Sequence, residues 1–345
     1  MSELYKTLHI KSIKEEIKDF KTFYFDETIS YKAGQYLTFV AFENGNELRR
    51  SYSITSSPYL NEPLSVGVKR IENGFFSRKL IDTTKENDEL ITIGAGGLFV
   101  LPDDFKNYKQ VFFFAAGSGI TPIYSLIKTI LNQYERIDVV LVYSNSSAGQ
   151  AIFINELKQL QQEFQTQFHI EFLFSNHLQL SKARLHRNLI EQLLKKFSIA
   201  SFHQTLFYIC GPESYMRLCA YTLQENDIPK QNIKREDFVI NSVRKRDALP
   251  PDKTAHLVSI QLNEQNFQFV NEYPNSILQT AKKLNIDLPY SCEAGRCGSC
   301  LAKCINGKIW HSYNEVLTEK ELNAGLILTC VGHPVEGDVE IKITI

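Results

Sequence analysis

The sequence predicts a multidomain protein: a small antiparallel β-barrel, then an α/β doubly wound parallel sheet, then a smaller α+β domain. Three observations carry this prediction. Up to about Asp104, short strand-like runs alternate with turn signals. From about Phe105, strand-like and helix-like runs alternate. Near the end, Cys292, Cys297 and Cys300 are spaced C-x4-C-x2-C, and Cys330 follows alone. The 345 residues suffice for two or three domains. The expected divisions are 1–104, 105–240, a linker at 241–254, and 255–345.

Leu8 to Ile13, Lys21 to Phe25, Tyr36 to Phe42, Arg50 to Ser53, Leu64 to Lys69 and Glu89 to Ile93 each fit a strand. Turns are expected at Ala33-Gly34, Asn44-Gly45 and Asn61-Glu62-Pro63. Short strands at this spacing suit a small barrel. Within Arg49-Arg50-Ser51-Tyr52-Ser53-Ile54, an Arg, an aromatic ring and a hydroxyl at alternating positions are expected on one face. That face would offer a cation to a diphosphate, a ring to stack and a small donor. Taken alone, Arg and Tyr on a strand are more often surface and core. Asn73-Gly74-Phe75-Phe76-Ser77-Arg78-Lys79-Leu80 reads as a turn opening a short helix, whose first N–H groups suit a phosphate.

In the second region, strands are expected at Val111 to Ala115, Asp138 to Tyr143, His169 to Ser175 and Leu206 to Cys210. Helices are expected at Pro122 to Tyr134, Ile152 to Phe164, Leu189 to Phe197 and Glu213 to Glu225. The first turn, Gly117-Ser118-Gly119-Ile120-Thr121-Pro122, has glycines that let the backbone approach a pyrophosphate. Thr121 is expected to cap the helix, and Pro122 fits its first turn. Cys210-Gly211-Pro212-Glu213-Ser214-Tyr215-Met216 falls at a strand's carboxyl end, where open parallel sheets bind ligands. By themselves, Cys210 and Met216 read as buried packing. Glu236, at a strand end, reads by itself as solvated.

The segment Asn241 to Thr254, with Arg244-Lys245-Arg246 and Pro250-Pro251, reads as a semi-extended, solvated linker. Beyond it, strands are expected at Leu257 to Leu262, Asn266 to Val270, Leu301 to Ile305 and Val339 to Ile343. A helix is expected at Ile277 to Leu284 and a turn at Asn306-Gly307. The Cys292, Cys297, Cys300 and Cys330 pattern is the plant-type ligand spacing for a [2Fe–2S] cluster. Gly295 and Gly298 let the loop turn tightly. A structural zinc site is the alternative, though such sites usually show two paired knuckles. His311 is expected to be structural, because Rieske ligation needs two His.

Net charge is −1, so nothing selects nucleic acid or an anionic membrane as partner. The chain opens with no apolar run long enough for a signal peptide. Of seven Cys, the pattern leaves Cys210, Cys219 and Cys304 as expected free thiols, which favours a reducing cytoplasm.

The C-terminal pattern resembles plant-type ferredoxin, which implies a β-grasp fold. The Arg50-Ser51-Tyr52-Ser53 and Gly74-Phe75-Phe76-Ser77 pieces together resemble the ferredoxin–NADP reductase family. That resemblance implies Arg50 on the diphosphate of FAD, Tyr52 against the isoalloxazine, Ser51 beside it and Ser53 near N5. It also implies main-chain contacts from Val68 and Lys69, and diphosphate contacts from Gly74, Phe75, Phe76 and Ser77. Gly117, Ser118, Gly119, Thr121 and Pro122 would meet the NAD(P) pyrophosphate. Cys210, Gly211, Pro212 and Met216 would line the nicotinamide pocket, Glu236 would handle protons and Phe238 would cover the ring. Ala33-Gly34-Gln35-Tyr36 resembles the family's P-G-Q-Y turn with Ala33 for proline. The donor is NADH or NADPH. The usual Ser-Arg for a 2′-phosphate is replaced by Ser175-Asn176, which leans to NADH, although Lys182 or Arg184 would still reach such a phosphate.

The domain order resembles reductase components of the phenylacetyl-CoA epoxidase type; related reductases serve ketosteroid hydroxylases and the hybrid cluster protein. The implied function is an oxidoreductase that carries electrons from NAD(P)H through FAD and [2Fe–2S] to an external acceptor, expected to be an oxygenase. Ser53, Cys210 and Glu236 are the expected catalytic groups. Two other readings stand: a quinone, ferredoxin or flavodoxin reductase, and a binding protein with a structural zinc loop.

Overall fold

The computed structural model describes residues 4–43, 46–179, 183–238 and 249–343. The expected turn at Asn44-Gly45, Lys182 and the basic triplet Arg244-Lys245-Arg246 lie outside these residues.

The first region contains β1 (Lys6–Ile17), β2 (Phe20–Phe25), β3 (Tyr36–Glu43), β4 (Asn46–Ser53), β5 (Ser65–Lys69) and β6 (Glu89–Gly96). They form one antiparallel sheet in the order β4-β3-β6-β1-β2-β5. A bridge between Ile54 and Val66 draws the two edges together and closes the barrel. Alternate residues Leu8, Ile10, Phe23, Phe25, Leu37 and Phe39 fill it. After β5 the chain makes α1 (Phe75–Arg78), which widens into a π turn at Lys79–Thr83.

The second region contains β7 (Gln110–Ala116), β8 (Asp138–Asn145), β9 (Phe168–Phe174), β10 (Thr205–Cys210) and β11 (Ile233–Glu236). All pairs are parallel, in the order β11-β10-β7-β8-β9. The helices are α2 (Ile120–Gln133), α3 (Ile154–Glu163), α4 (Arg187–Phe197) and α5 (Glu213–Glu225). Strand order reverses between β7 and β10, so the crevice for a ligand opens there. Thr121 does not cap α2. A 3-10 turn at Gly117–Gly119 carries the chain into the helix two residues earlier, at Ile120, and the Thr121 hydroxyl donates instead to the Ser118 carbonyl at 2.9 Å.

The third region contains β12 (His256–Leu262), β13 (Gln265–Asn271), β14 (Leu301–His311), β15 (Leu326–Leu328) and β16 (Gly332–Ile343), with α6 (Ile277–Lys283) and α7 (Glu319–Asn323). The sheet order is β13-β12-β16-β14-β15, with β12 and β16 parallel. Both helices start on a capping box, Ser276 with Gln279 and Thr318 with Glu321. The expected turn at Asn306-Gly307 is a bulge inside β14. Register shifts on both sides of Asn306 absorb the extra residue, and Gly307 takes φ +89.

One core unites the barrel's Phe20 and Ala33 with Val111, Ile123, Leu126, Phe153 and Tyr208 of the parallel sheet and its helices. The third region has its own core around Val258, Ile260, Ile277, Leu328 and Ile341. Among the described residues no helix is long and apolar enough to cross a membrane.

Candidate functional site

A cleft opens where the three regions meet. It is lined by Arg50, Ser51 and Ser53 from β4, Glu236 and Phe238 at and beyond the end of β11, and Cys292 and Cys297 from the cysteine loop. Each arrives for a local reason. The carboxyl end of β4 pairs with the start of β3, so Ser53 sits opposite Tyr36. Strand β11 is the edge of the parallel sheet, and Glu236 pairs in register with Cys210 at the end of β10. The glycine-bearing cysteine loop turns back onto β4, with Gly295 at φ +70 and Gly298 at φ +74.

The alternating face expected on β4 is divided. A strand's side chains point to opposite faces in turn, so Arg49, Ser51 and Ser53 share one face and Arg50 and Tyr52 the other. Tyr52 packs between Phe39 and Phe76, in the barrel. Arg49, buried, stacks on the Tyr290 ring with its guanidinium 3.7 Å from the centroid, and donates to the Tyr290 carbonyl at 3.2 Å. The Ser51 hydroxyl lies 2.8 Å from that of Ser291. Arg50 is exposed and donates to the Arg49 carbonyl at 2.7 Å. Ser77 is committed to its own loop, accepting from the Ile71 N–H at 3.0 Å and donating to the Gly74 carbonyl at 3.2 Å. Phe75 is exposed and Phe76 buried; Val68 is buried and Lys69 exposed.

Glu236 is not solvated. Its Oε2 is buried without a hydrogen-bond partner, and burial pushes the carboxyl up to about 8 from an ordinary 4.5. An orphaned polar atom at a cleft wall fits a bound group that would supply its partner. Burial likewise raises the Cys210 thiol, with Glu236 and Asp237 adding to the shift, so Cys210 is a neutral thiol at neutral pH.

The turn after β7 lies against the end of β10. A Cβ on Gly119 would come within 2.1 Å of the Cys210 carbonyl oxygen, so only glycine permits this approach. The structure thus brings Gly119 beside Cys210 and Gly211, and Ala116 beside Gly211, at the switch point. Met216 lies on the buried face of α5.

Cys292, Cys297, Cys300 and Cys330 come from two distant segments to one place. The Cys292 thiol borders those of Cys297 and Cys330, and the Cys330 thiol borders Cys292 and Cys300. Three of the sulfurs come from one loop and the fourth alone from Cys330, without the second paired knuckle that a structural zinc site usually shows. Four sulfurs with backbone N–H groups aimed at them fit a cluster: the Ala294 N–H lies 3.4 Å from Cys292 Sγ and the Cys292 N–H 3.5 Å from Cys297 Sγ. Cys304 stands apart, donating to the Asn306 carbonyl at 3.3 Å. His311 accepts the Leu328 N–H at 3.0 Å, which is a structural role.

Tyr36, Arg49 and Ser299 fall inside motifs the sequence showed, in Ala33-Gly34-Gln35-Tyr36, before Arg50 and between Cys297 and Cys300, but no local signal gave them a role, and Tyr290 and Ser291 read as ordinary polar residues before Cys292. Their importance arises from contacts between regions some 240 positions apart.

Three family models match the chain: an oxidoreductase FAD-binding domain over residues 8–100, an oxidoreductase NAD-binding domain over 113–220 and a 2Fe–2S iron–sulfur cluster binding domain over 260–335. The chain is therefore a ferredoxin–NADP reductase-like flavoprotein fused to a C-terminal plant-type [2Fe–2S] ferredoxin domain, an NAD(P)H-dependent oxidoreductase that moves electrons through FAD and the cluster. It is 28% identical over 347 residues to one component of the 1,2-phenylacetyl-CoA epoxidase of Escherichia coli K12, covering 98% of this chain and 97% of the relative. It is also 28% identical to the ferredoxin reductase component of the 3-ketosteroid-9-alpha-monooxygenase of Rhodococcus rhodochrous, covering 97% and 96%. Phthalate dioxygenase reductase, a solved structure, shares the fold over 98% of both chains, with a TM-score of 0.59 at 24% identity.

Proposed function

We propose that this chain is the reductase component of an oxygenase, taking hydride from NADH or NADPH and passing single electrons to the oxygenase. The phenylacetyl-CoA epoxidase to which the E. coli relative belongs is the first acceptor to test. One observation carries the reading: residues expected at the flavin and residues expected at the cluster line one cleft, with no intervening domain. When bound, FAD would supply two-electron acceptance with one-electron release, and [2Fe–2S] single-electron transfer.

The protein's own part is binding, orientation and proton control. Arg50 and Gly74 to Ser77 would hold the diphosphate, Ser51, Tyr52 and Ser53 would flank the ring, and Val68 and Lys69 would contact FAD through the main chain. Gly117 to Pro122 would seat the nucleotide, with Cys210, Gly211, Pro212 and Met216 around the nicotinamide and Phe238 covering the cleft. Glu236, neutral at pH 7 by the shift above, would hold a proton at Oε2 facing the flavin. Cys292, Cys297, Cys300 and Cys330 would ligate the irons. This reading divides the chain at 1–104, 105–240, 241–254 and 255–345. A cytoplasmic location is supported by the free thiols Cys210 and Cys219, both buried.

The test is an ultraviolet–visible spectrum with iron and flavin analysis, before and after NADH and then NADPH under argon. Two irons and one FAD per chain, bleached by one nucleotide, are expected. Turnover of a purified epoxidase with this chain as sole reductase and that nucleotide as electron donor should then follow. Absence of iron, or flavin that neither nucleotide bleaches, overturns the reading. Bleaching with no support of any oxygenase, but rapid reduction of quinones or flavodoxin, moves the chain to the other class of reductase.

A further inference from the structure

Tyr36 reaches from the barrel to the cysteine loop. Its hydroxyl lies 2.5 Å from the Cys297 carbonyl oxygen and 2.7 Å from Ser299 Oγ. The ring is buried and lies against Gly96 and Gly97, where a Cβ on Gly97 would come within 2.7 Å of a ring carbon. Ser299 Oγ is in turn 3.6 Å from Cys297 Sγ.

A proton count decides which way these bonds run. A carbonyl only accepts, so the single phenol proton goes to the Cys297 oxygen. The short contact to Ser299 therefore uses the serine's only proton, donated to the Tyr36 oxygen. The Cys297 thiol, while it keeps its hydrogen, donates to Ser299. As a cluster ligand Cys297 has lost that hydrogen, and Ser299 has none left to offer its sulfur. Hydrogen bonds to cluster sulfurs stabilise the more negative, reduced state and raise the potential.

We propose that Tyr36 is a positioning residue that engages Ser299 and so withholds a hydrogen bond from the Cys297 sulfur, keeping the cluster at a lower potential while the ferredoxin domain sits on the barrel. The inference rests on the reading of Cys297 as a cluster ligand. It makes the potential of a group in one domain depend on a side chain of another. Without Tyr36, the Ser299 hydroxyl turns to the sulfur, and the cluster holds its electron more tightly.

The experiment is a redox titration of the cluster by electron paramagnetic resonance, on full-length holoprotein. Wild type, Tyr36→Phe, Ser299→Ala and the double variant are compared, each first checked for two irons per chain. Tyr36→Phe should shift the midpoint potential upward, Ser299→Ala alone should leave it at the wild-type value, and the double variant should return to that value. If Tyr36→Phe does not assemble, Tyr36→Leu takes its place. An unmoved potential in the Tyr36 variant, an equal shift in the Ser299→Ala background, or a potential lowered by Ser299→Ala alone overturns the inference and leaves the cluster reading standing. Wild-type protein without iron overturns both.

Discussion

The barrel meets its two neighbours in opposite ways. Against the parallel sheet it shares a hydrophobic core: Phe20 lies edge-on to Phe153 with centroids 6.0 Å apart, and Phe99 edge-on to Tyr208 at 5.1 Å. Buried polar bonds reinforce that junction, including Ser125 donating to the Ser56 carbonyl at 2.6 Å and Lys128 paired with Glu62 at 2.5 Å. Against the ferredoxin domain the junction is mainly polar. Tyr36 on Cys297 and Ser299, Arg49 on Tyr290 and Ser51 on Ser291 make the contact, with Leu98 packed beside them. Apolar burial is non-directional and hard to reverse, whereas polar junctions exchange readily with water. The flavin and nucleotide regions are thus built as one body, as hydride transfer at close range requires. The ferredoxin domain is docked by directional bonds, as suits a module that must hand electrons onward.

The sharpest way to separate the two junctions is to remove the cluster. Cys330→Ala should abolish cluster absorbance and iron while FAD content and nucleotide-driven dye reduction persist; Cys304→Ala should keep both. Loss of flavin along with iron would show that the ferredoxin domain is structurally fused to the rest.

A core truncation should hit the other junction. Phe20→Ala deletes a buried ring at the shared core and should cost about 3–5 kcal/mol, read as a lower denaturation midpoint of flavin release and nucleotide-domain unfolding together. Separate transitions for the two would break the one-body picture.

Glu236 stands where all three regions meet, and its titration should report on that cleft. Its carboxyl ionises near 4.5 in the unfolded chain and near 8 when folded. Between those values the native state binds the extra proton, so stability falls as pH rises, by roughly 1.4 kcal/mol per pH unit for this group alone, and levels off above pH 8. Glu236→Gln should remove that slope, so the variant gains on wild type in urea melts from pH 5 to 8. Parallel curves would mean that the carboxyl finds a partner when FAD is bound.

The smallest effect belongs to the polar junction. Arg49→Ala loses a desolvated cation–π contact of about 1–2 kcal/mol. It should slow flavin-to-cluster electron transfer in stopped-flow experiments and leave nucleotide-to-flavin transfer unchanged. Equal slowing of both steps would place Arg49 at the flavin itself.

Much of this was legible because each element carries a local cause. The four cysteines declare a cluster by spacing alone, and the alternation from Val111 to Cys210 declares a parallel sheet. The glycine turn at Gly117–Gly119 was readable too, although its strictest requirement was not: Gly119 must be glycine because the Cys210 carbonyl, more than ninety positions away, occupies the place of its Cβ. Thr121 was misread as a cap because a hydroxyl before an apolar run looks the same whether the helix starts after it or one residue before it. The bulge at Asn306-Gly307 was misread as a turn because glycine after asparagine suits both.

Local periodicity, glycine placement and ligand spacing, all written within short windows, marked the barrel, the parallel sheet and the cluster ligands, and the resemblance of those motifs to known families supplied the β-grasp fold and the class of chemistry. Only the tertiary structure decided which face of β4 meets the cysteine loop, that Glu236 is buried rather than solvated, and that Tyr36 reaches Ser299. Those outcomes depend on how separate regions pack. A side chain's burial and its hydrogen-bond partners come from residues that no local pattern connects to it.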